Sequence, residues 1–295
     1  MSYSRRDFLK STVAAGMLGG LRPSFAAPAA KRTATDWVTL GNSGVKVTRL
    51  AFGTGTHGGH VQHALGQDEF TRQALHAYDS GIRFFETAES YGGMPEMLAI
   101  ALKGIPRDSY RLMMKCTVRP QDDPKAKIDE YRRQLNTDYM DILLLHCVTS
   151  PDWSSDMERH RDAFSEAKQK KIILAHGASV HGLPALRTFP GNTWLDIAMI
   201  RMNHNGTIMD GPTEGSSQGG NVPEVVANAR KVHAQGAGII SMKLVGEGRF
   251  TNPQDRDASL KFAMQTAGVD SVTIGYKSIA EIDEAIRGLN GALAA

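Results

Sequence analysis

Cysteine is scarce, with two in 295 residues, which excludes a disulfide scaffold. Charge of one sign is scarce as well. The formal excess of +3 is too small to argue for a nucleic-acid partner, and part of it lies in the first ten residues. The small-residue apolar stretch at 11–21 falls far short of the ~18 residues of a transmembrane span. We find no HExxH and no HxH on the first strand, so the usual metal-ligand spacings are missing. We also read no Rossmann-type dinucleotide fingerprint after that strand. What remains is 41% hydrophobic and 22% charged, the make-up of an ordinary soluble globular chain.

Beyond residue 35 the pattern alternates. Two β-prone runs, 37–40 and 45–50, flank Gly41-Asn42-Ser43-Gly44 and predict a hairpin. The first barrel strand is expected at 47–52. Further strand-like runs start near Ile82, Arg111, Met140, Ile172, Leu195, Ala237 and Ser271. Helical periodicity is expected at 68–80, 95–103, 124–135, 157–170, 222–235, 258–267 and 279–289, with a short helix broken by Pro184 at 183–189. Eight strand–helix units predict a closed (β/α)8 TIM barrel over 35–295, with an N-terminal hairpin. The aperiodic stretch 205–221 is expected to be a loop over the site.

Three successive apolar runs end on polar residues. The run IRFFETAESYG carries Glu86 and, beside Gly92 and Gly93, Tyr91; YRLMMKC carries Lys115; DILLLH ends on His146. A carbonyl reductase needs a group that protonates the forming alkoxide. A free tyrosine has a pKa near 10, and a nearby Lys115 should lower that of Tyr91. A buried Lys115 needs a carboxylate partner, for which Glu86 is placed and Glu89 competes. His146 would bond the substrate carbonyl. In order and spacing these residues resemble the catalytic tetrad of the aldo-keto reductases, although the family's usual Asp is Glu86 here.

That resemblance implies a nicotinamide cofactor at the strand ends, NADP(H) ahead of NAD(H). It points to Ser179 and Asn203 near the nicotinamide. Val180 and Met199 stand where the family carries amide side chains. Gly246 and Gly248 would let the backbone approach a pyrophosphate, with Lys243 or Arg249 to neutralise it. Gly275, Lys277 and Ser278 resemble the adenosine end, where Lys277 and Ser278 would meet a 2′-phosphate. Asp283 and Glu284 stand where a further basic residue is expected.

Residues 1–30 form a separate expectation. Ser4-Arg5-Arg6-Asp7-Phe8-Leu9-Lys10, then Ser24-Phe25-Ala26-Ala27, resemble a twin-arginine export signal that is cut off. This implies the export machinery as a partner, a periplasmic or otherwise exported location, and membrane contact only if the segment is retained. His57, His60, His63, His176, His181 and His204 keep a metal-dependent barrel hydrolase as a rival, though no metal is expected. Cys116 and Cys147 are expected to face the helix layer, and Trp153 to serve as packing or as a substrate wall. The expected activity is interconversion of a small polar carbonyl and its alcohol. Val180, Met199 and Glu86 favour the alternative, an accessory binding protein without turnover.

Overall fold

The protein is described from a computed structural model covering residues 31–266 and 268–294. The expected export signal at 1–30 lies outside the described residues. Strands β1 (Trp37–Thr39) and β2 (Lys46–Thr48) pair antiparallel, with Val38 opposite Val47. Gly41 and Gly44 take positive φ at their turn. The strand expected at 47–52 is split, because the chain changes partners at Arg49. Its amide donates to the Asp36 carbonyl (3.1 Å), and Thr48 Oγ1 donates to the Leu50 carbonyl (2.7 Å). Thr48 therefore ends the hairpin and Leu50 starts the barrel.

The barrel strands are β3 (Leu50–Gly53), β4 (Phe84–Glu86), β5 (Arg111–Cys116), β6 (Met140–Val148), β7 (Ile173–Val180), β8 (Ile197–Arg201), β9 (Gly238–Met242) and β10 (Ser271–Gly275). They run in that order and close when β10 pairs with β3. After β3 come α1 (His60–His63) and α2 (Gln67–Asp79); after β4, α3 (Met94–Ala101); after β5, α4 (Pro124–Gln134). After β6 come α5 (Trp153–Asp156) and α6 (Glu158–Gln169), then α7 (Leu183–Leu186), α8 (Val222–Ala234), α9 (Pro253–Thr266) and α10 (Ile279–Ala294). Helix α9 starts five residues earlier than its periodicity suggests. Asn252 Oδ1 accepts the Asp255 amide (2.7 Å) and Pro253 opens the helix, a start set by capping rather than by apolar spacing. Among the described residues, no helix is long and apolar enough to cross a membrane.

Two apolar layers result from strand alternation. Ala51, Phe84, Met113, Ile142, Leu144, Ala175, Ile197, Met199 and Ile240 fill the barrel; Phe52, Phe85, Leu112, Met114, Leu143 and Leu145 pack under the helices. Leu40, Val45 and Val47 of the hairpin join the inner group and close the bottom of the barrel. Each fully buried side chain of this size contributes about 1.5–3 kcal/mol. The plug seats only because position 238 is glycine: a Cβ there would strike Leu40. Trp153 proves to be packing. It is fully buried, donates its indole N–H to Thr188 Oγ1 (2.9 Å), and meets Phe189 and Trp194.

Candidate active site

The inner face of each strand is carried up to the mouth at the carboxyl ends. On β4, Phe84 faces inward, so Glu86 does too; on β5 the same step links Met113 to Lys115; on β6 it links Leu144 to His146. The structure brings these three side chains together with Tyr91 from the loop after β4. Lys115 Nζ pairs with Glu86 Oε1, and both side chains are almost fully buried. Glu86 Oε2 also accepts Thr273 Oγ1 at 3.3 Å. Lys115 Nζ lies 4.6 Å from the centre of the Tyr91 ring. The Tyr91 and His146 rings sit 5.5 Å apart, nearly perpendicular, and Ser90 Oγ bonds His146 Nδ1 at 3.2 Å. Glu89 does not compete for Lys115. Tyr131, Arg119 and Lys127 bond its carboxylate. Burial opposes its charge, but those bonds win and hold the carboxyl down at about 2.

The electrostatics of the mouth differ from expectation in one respect. Burial dominates and pushes the Tyr91 hydroxyl above its ordinary value rather than below it, with Cys147 and Glu247 adding to the rise. Burial also depresses Lys115 far below an ordinary lysine. His146 is pushed down by burial, then by the charges of Lys115 and Lys243. Tyr91 therefore holds its proton and His146 is a neutral imidazole near neutral pH.

The first loop carries a Gly53-x-Gly55-x-x-Gly58 spacing that the sequence reading passed over. The helix that follows it, α1, is a single turn, His60–His63. A Cβ on Gly55 would land on the Tyr91 ring, and one on Gly59 would crowd the Tyr91 Cβ and carbonyl. These glycines make room for Tyr91.

Cys147 departs from the alternation expected of it. The β6–β7 register shifts between Leu145 and Val148, and Cys147 has φ +58°. Its thiol is exposed, not in the helix layer, and lies 3.5 Å from His181 Nε2. Cys116 is buried as expected, and both thiols are free. His176 leaves the mouth altogether, stacked on Trp194 at 4.4 Å. Among the described residues, no three His, Cys, Asp or Glu side chains form a group that could hold a metal ion.

The expected cofactor residues separate into two sets. Ser179 is buried and accepts the Cys147 amide (3.0 Å). Asn203 is fully buried, and its amide is used up inside the protein. Nδ2 donates to the Lys243 carbonyl (3.2 Å) and to that of Thr207, while Oδ1 accepts Gly206 N (2.9 Å). It braces the loop after β8 rather than presenting an amide outward. The other set borders a cleft of about 660 Å³ between the first loop, the loop after β9, α9 and α10, lined by Gly248, Gly275, Tyr276 and Lys277 among others. The Gly246–Gly248 turn edges it, and Lys243 there pairs with Glu247. Ser278 caps α10 by accepting the Glu281 amide (3.3 Å), and Glu281 in turn accepts the Lys277 amide (2.9 Å). A smaller cavity of about 60 Å³ at Glu86, Tyr91 and Met199 shares Thr56, Val245, Glu247 and Gly275 with this cleft.

A parallel barrel with a buried lysine–carboxylate pair under a tyrosine and a histidine defines the class of protein. The aldo/keto reductase model matches residues 49–287, and the chain belongs to that family. L-galactose dehydrogenase of Arabidopsis thaliana is 30% identical over 155 residues, 49% of this chain and 48% of that protein. Methylglyoxal reductase DkgB of Escherichia coli O157:H7 is 29% identical over 139 residues, 46% and 49% of the two chains. The chain thus spans about half the length of the curated relatives it matches. The holo form of an aldo-keto reductase from Bacillus halodurans superposes with a TM-score of 0.67 at 19% identity, covering 88% of this chain and 97% of that one. The family generally uses a nicotinamide nucleotide, and the residues fit one at its adenosine end. The cleft has the size of a nucleotide site, Gly248 leaves open space beside it, and the buried Tyr276 hydroxyl has no partner among the described residues. The carboxamide end lacks its amides, with Val180 and Met199 in their place.

Proposed function

We propose that the chain is a nicotinamide-dependent oxidoreductase that interconverts a small polar carbonyl compound and its alcohol. The observation that carries this reading is the convergence of Tyr91, His146 and the Lys115–Glu86 pair at one mouth beside the cleft. Gly248, Gly275 and Lys277 would hold the nucleotide, which supplies or takes the hydride. Tyr91 holds the proton that the forming alkoxide takes, and receives it back in the oxidative direction. Neutral His146, fixed by Ser90, donates a hydrogen bond to the carbonyl oxygen. Burial works against the charge on Lys115 and the paired Glu86 carboxylate works for it; in its ammonium form Lys115 favours the charge that develops on the Tyr91 oxygen. The sugar-type and keto-aldehyde substrates in the relatives' names are both polar carbonyl or alcohol compounds.

Tyr91→Phe tests this reading. It should lower kcat by about 10²–10⁴ while nucleotide binding, followed by fluorescence titration, persists. Unchanged turnover in a folded variant would remove Tyr91 from the mechanism, whereas no turnover in the wild type with ligand affinity unchanged in Tyr91→Phe would leave the accessory-protein reading, which the braced Asn203 and the missing amides favour. We further propose that the chain is exported folded by the twin-arginine route with its nucleotide aboard. Fractionation and release of nucleotide on denaturing the exported protein check this; an empty exported protein with no nucleotide affinity opposes it.

A further inference from the structure

Arg201, the last residue of β8, is unexplained by the reading above. It lies two positions beyond Met199 and four beyond Ile197, both inside the barrel. Alternation therefore sends it to the same inward face, at the level of the mouth. It is 2% exposed. Its Nε approaches Asp210 Oδ1 at 3.1 Å but is not aligned for a hydrogen bond, and Nη2 has no acceptor among the described residues. A buried guanidinium edge left without an acceptor is costly and needs an occupant.

The neighbours say what kind. Asp210, 3.1 Å from Arg201 Nε, also accepts the amide of Gly182, the residue after His181, at 2.7 Å, so Arg201 lies beside the end of β7. His181 stands 6.1 Å ring to ring from His146, which stands 5.5 Å from Tyr91. His181 Nδ1 is a second buried nitrogen without a partner. A line thus runs from the Tyr91 hydroxyl through His146 and His181 to Arg201. The other carboxylates facing the mouth, Glu86 and Glu247, are already paired with Lys115 and Lys243. A guanidinium fork can hold one carboxylate on each edge, and Asp210 takes only one.

We propose that Arg201 recognises a carboxylate carried by the substrate, which makes the preferred substrates oxo acids and their hydroxy acids. The proposal rests on the Tyr91 site being the reacting centre. The carbonyl sits at Tyr91 and His146, and a carboxylate separated from it by a short carbon chain extends alongside His181 to Nη2. The loop spanning 205–221 supplies the cover. Asp210 Oδ1 accepts the Gly182 amide (2.7 Å) and Gly215 donates to the His181 carbonyl (3.0 Å), so the loop is fastened to the end of β7 above this line.

The test compares 4-oxobutanoate with its methyl ester under NADH and NADPH, together with calorimetric titration of oxalate, a non-reacting carboxylate. We expect the wild type to favour the free acid at least tenfold in kcat/KM. In Arg201→Gln that ratio should collapse toward one, and oxalate affinity should fall about tenfold or more. Arg201→Lys keeps the charge but not the fork, and should restore only part of the ratio. Asp210→Asn leaves Arg201 without its internal carboxylate and should bind oxalate more tightly, an outcome that does not require the Arg201 variants to fold. Turnover of the ester with no carboxylate preference overturns this inference and leaves the oxidoreductase reading standing. Arg201-dependent oxalate binding without turnover of any carbonyl supports the anion site and overturns the oxidoreductase reading. Oxalate binding that ignores Arg201 and Asp210 alike means that internal water occupies Nη2, and overturns the inference.

Discussion

Glu86→Gln should cost this protein much of its stability, and the size of the loss can be worked from the mouth. Glu86 is 3% exposed and Lys115 0%. With an amide at position 86 the ammonium has two courses. It can stay charged without its carboxylate, and breaking such a buried pair costs about 3–5 kcal/mol. It can instead lose its proton. An ordinary lysine titrates near 10.4, so holding it neutral at pH 7 costs roughly 3.4 × 1.36, or about 4.6 kcal/mol. The two courses agree, and for a domain of this size they correspond to a drop in Tm of roughly 6–20 °C. The pH dependence separates this from simple loss of packing. Burial already holds the folded-state pKa of Lys115 below its unfolded value. Where a lysine's pKa is depressed on folding, the unfolded chain binds more protons, so stability rises with pH up to the unfolded pKa. The wild type shares that slope through its own depressed Lys115, so the deficit of Glu86→Gln shrinks only by the further depression that loss of the carboxylate causes, and by less than about 1.4 kcal/mol per pH unit between pH 7 and 10. Scanning calorimetry at pH 7, 8 and 9 measures it, and adding Lys115→Met should recover most of the loss. A Tm change below 1 °C, or one that the second substitution deepens, would refute the account of the pair.

Gly55→Ala places a methyl group where the Tyr91 ring lies. It should lower kcat by about 10² through displacement of the hydroxyl and cost about 1–3 kcal/mol; turnover and thermal unfolding check both, and unchanged turnover would contradict the packing role of that glycine. At the adenosine end, Lys277 and Arg256 are each already paired with a carboxylate, Glu281 and Glu284. We therefore expect NADPH and NADH to bind within tenfold of each other. Glu281→Gln should strengthen NADPH alone by about fivefold, from about 1 kcal/mol of relieved repulsion. Fluorescence titration decides this, and equal shifts for both nucleotides would count against a phosphate at Lys277.

The barrel and the meeting of Glu86, Tyr91, Lys115 and His146 were legible because each strand changes from apolar to polar at its carboxyl end. That change marks both the boundary and the inward face. Cys147 was not legible, because a register shift between β6 and β7 breaks the alternation on which its placement relied. Asn203 had the right residue type at the right strand end, but its hydrogen bonds run to residues up to forty positions away, which no local pattern reports. The rise in the Tyr91 pKa depends on how completely the mouth is enclosed, a property of loops from several strands. Arg201 left a usable signal: a charged residue in the apolar run AMIRM, in step with Met199. The split of the first strand at Arg49 had no such mark, since both halves are equally β-prone.

The hairpin plug has a kinetic corollary. Because Leu40, Val45 and Val47 fill the bottom of the barrel, the mouth is a blind well with one opening. On the proposed function, two reactants that meet at Tyr91 would share the end of the barrel that the hairpin leaves open. The one bound deeper would enter first and leave last, so traffic would follow a queue set by the slower departure at the rim.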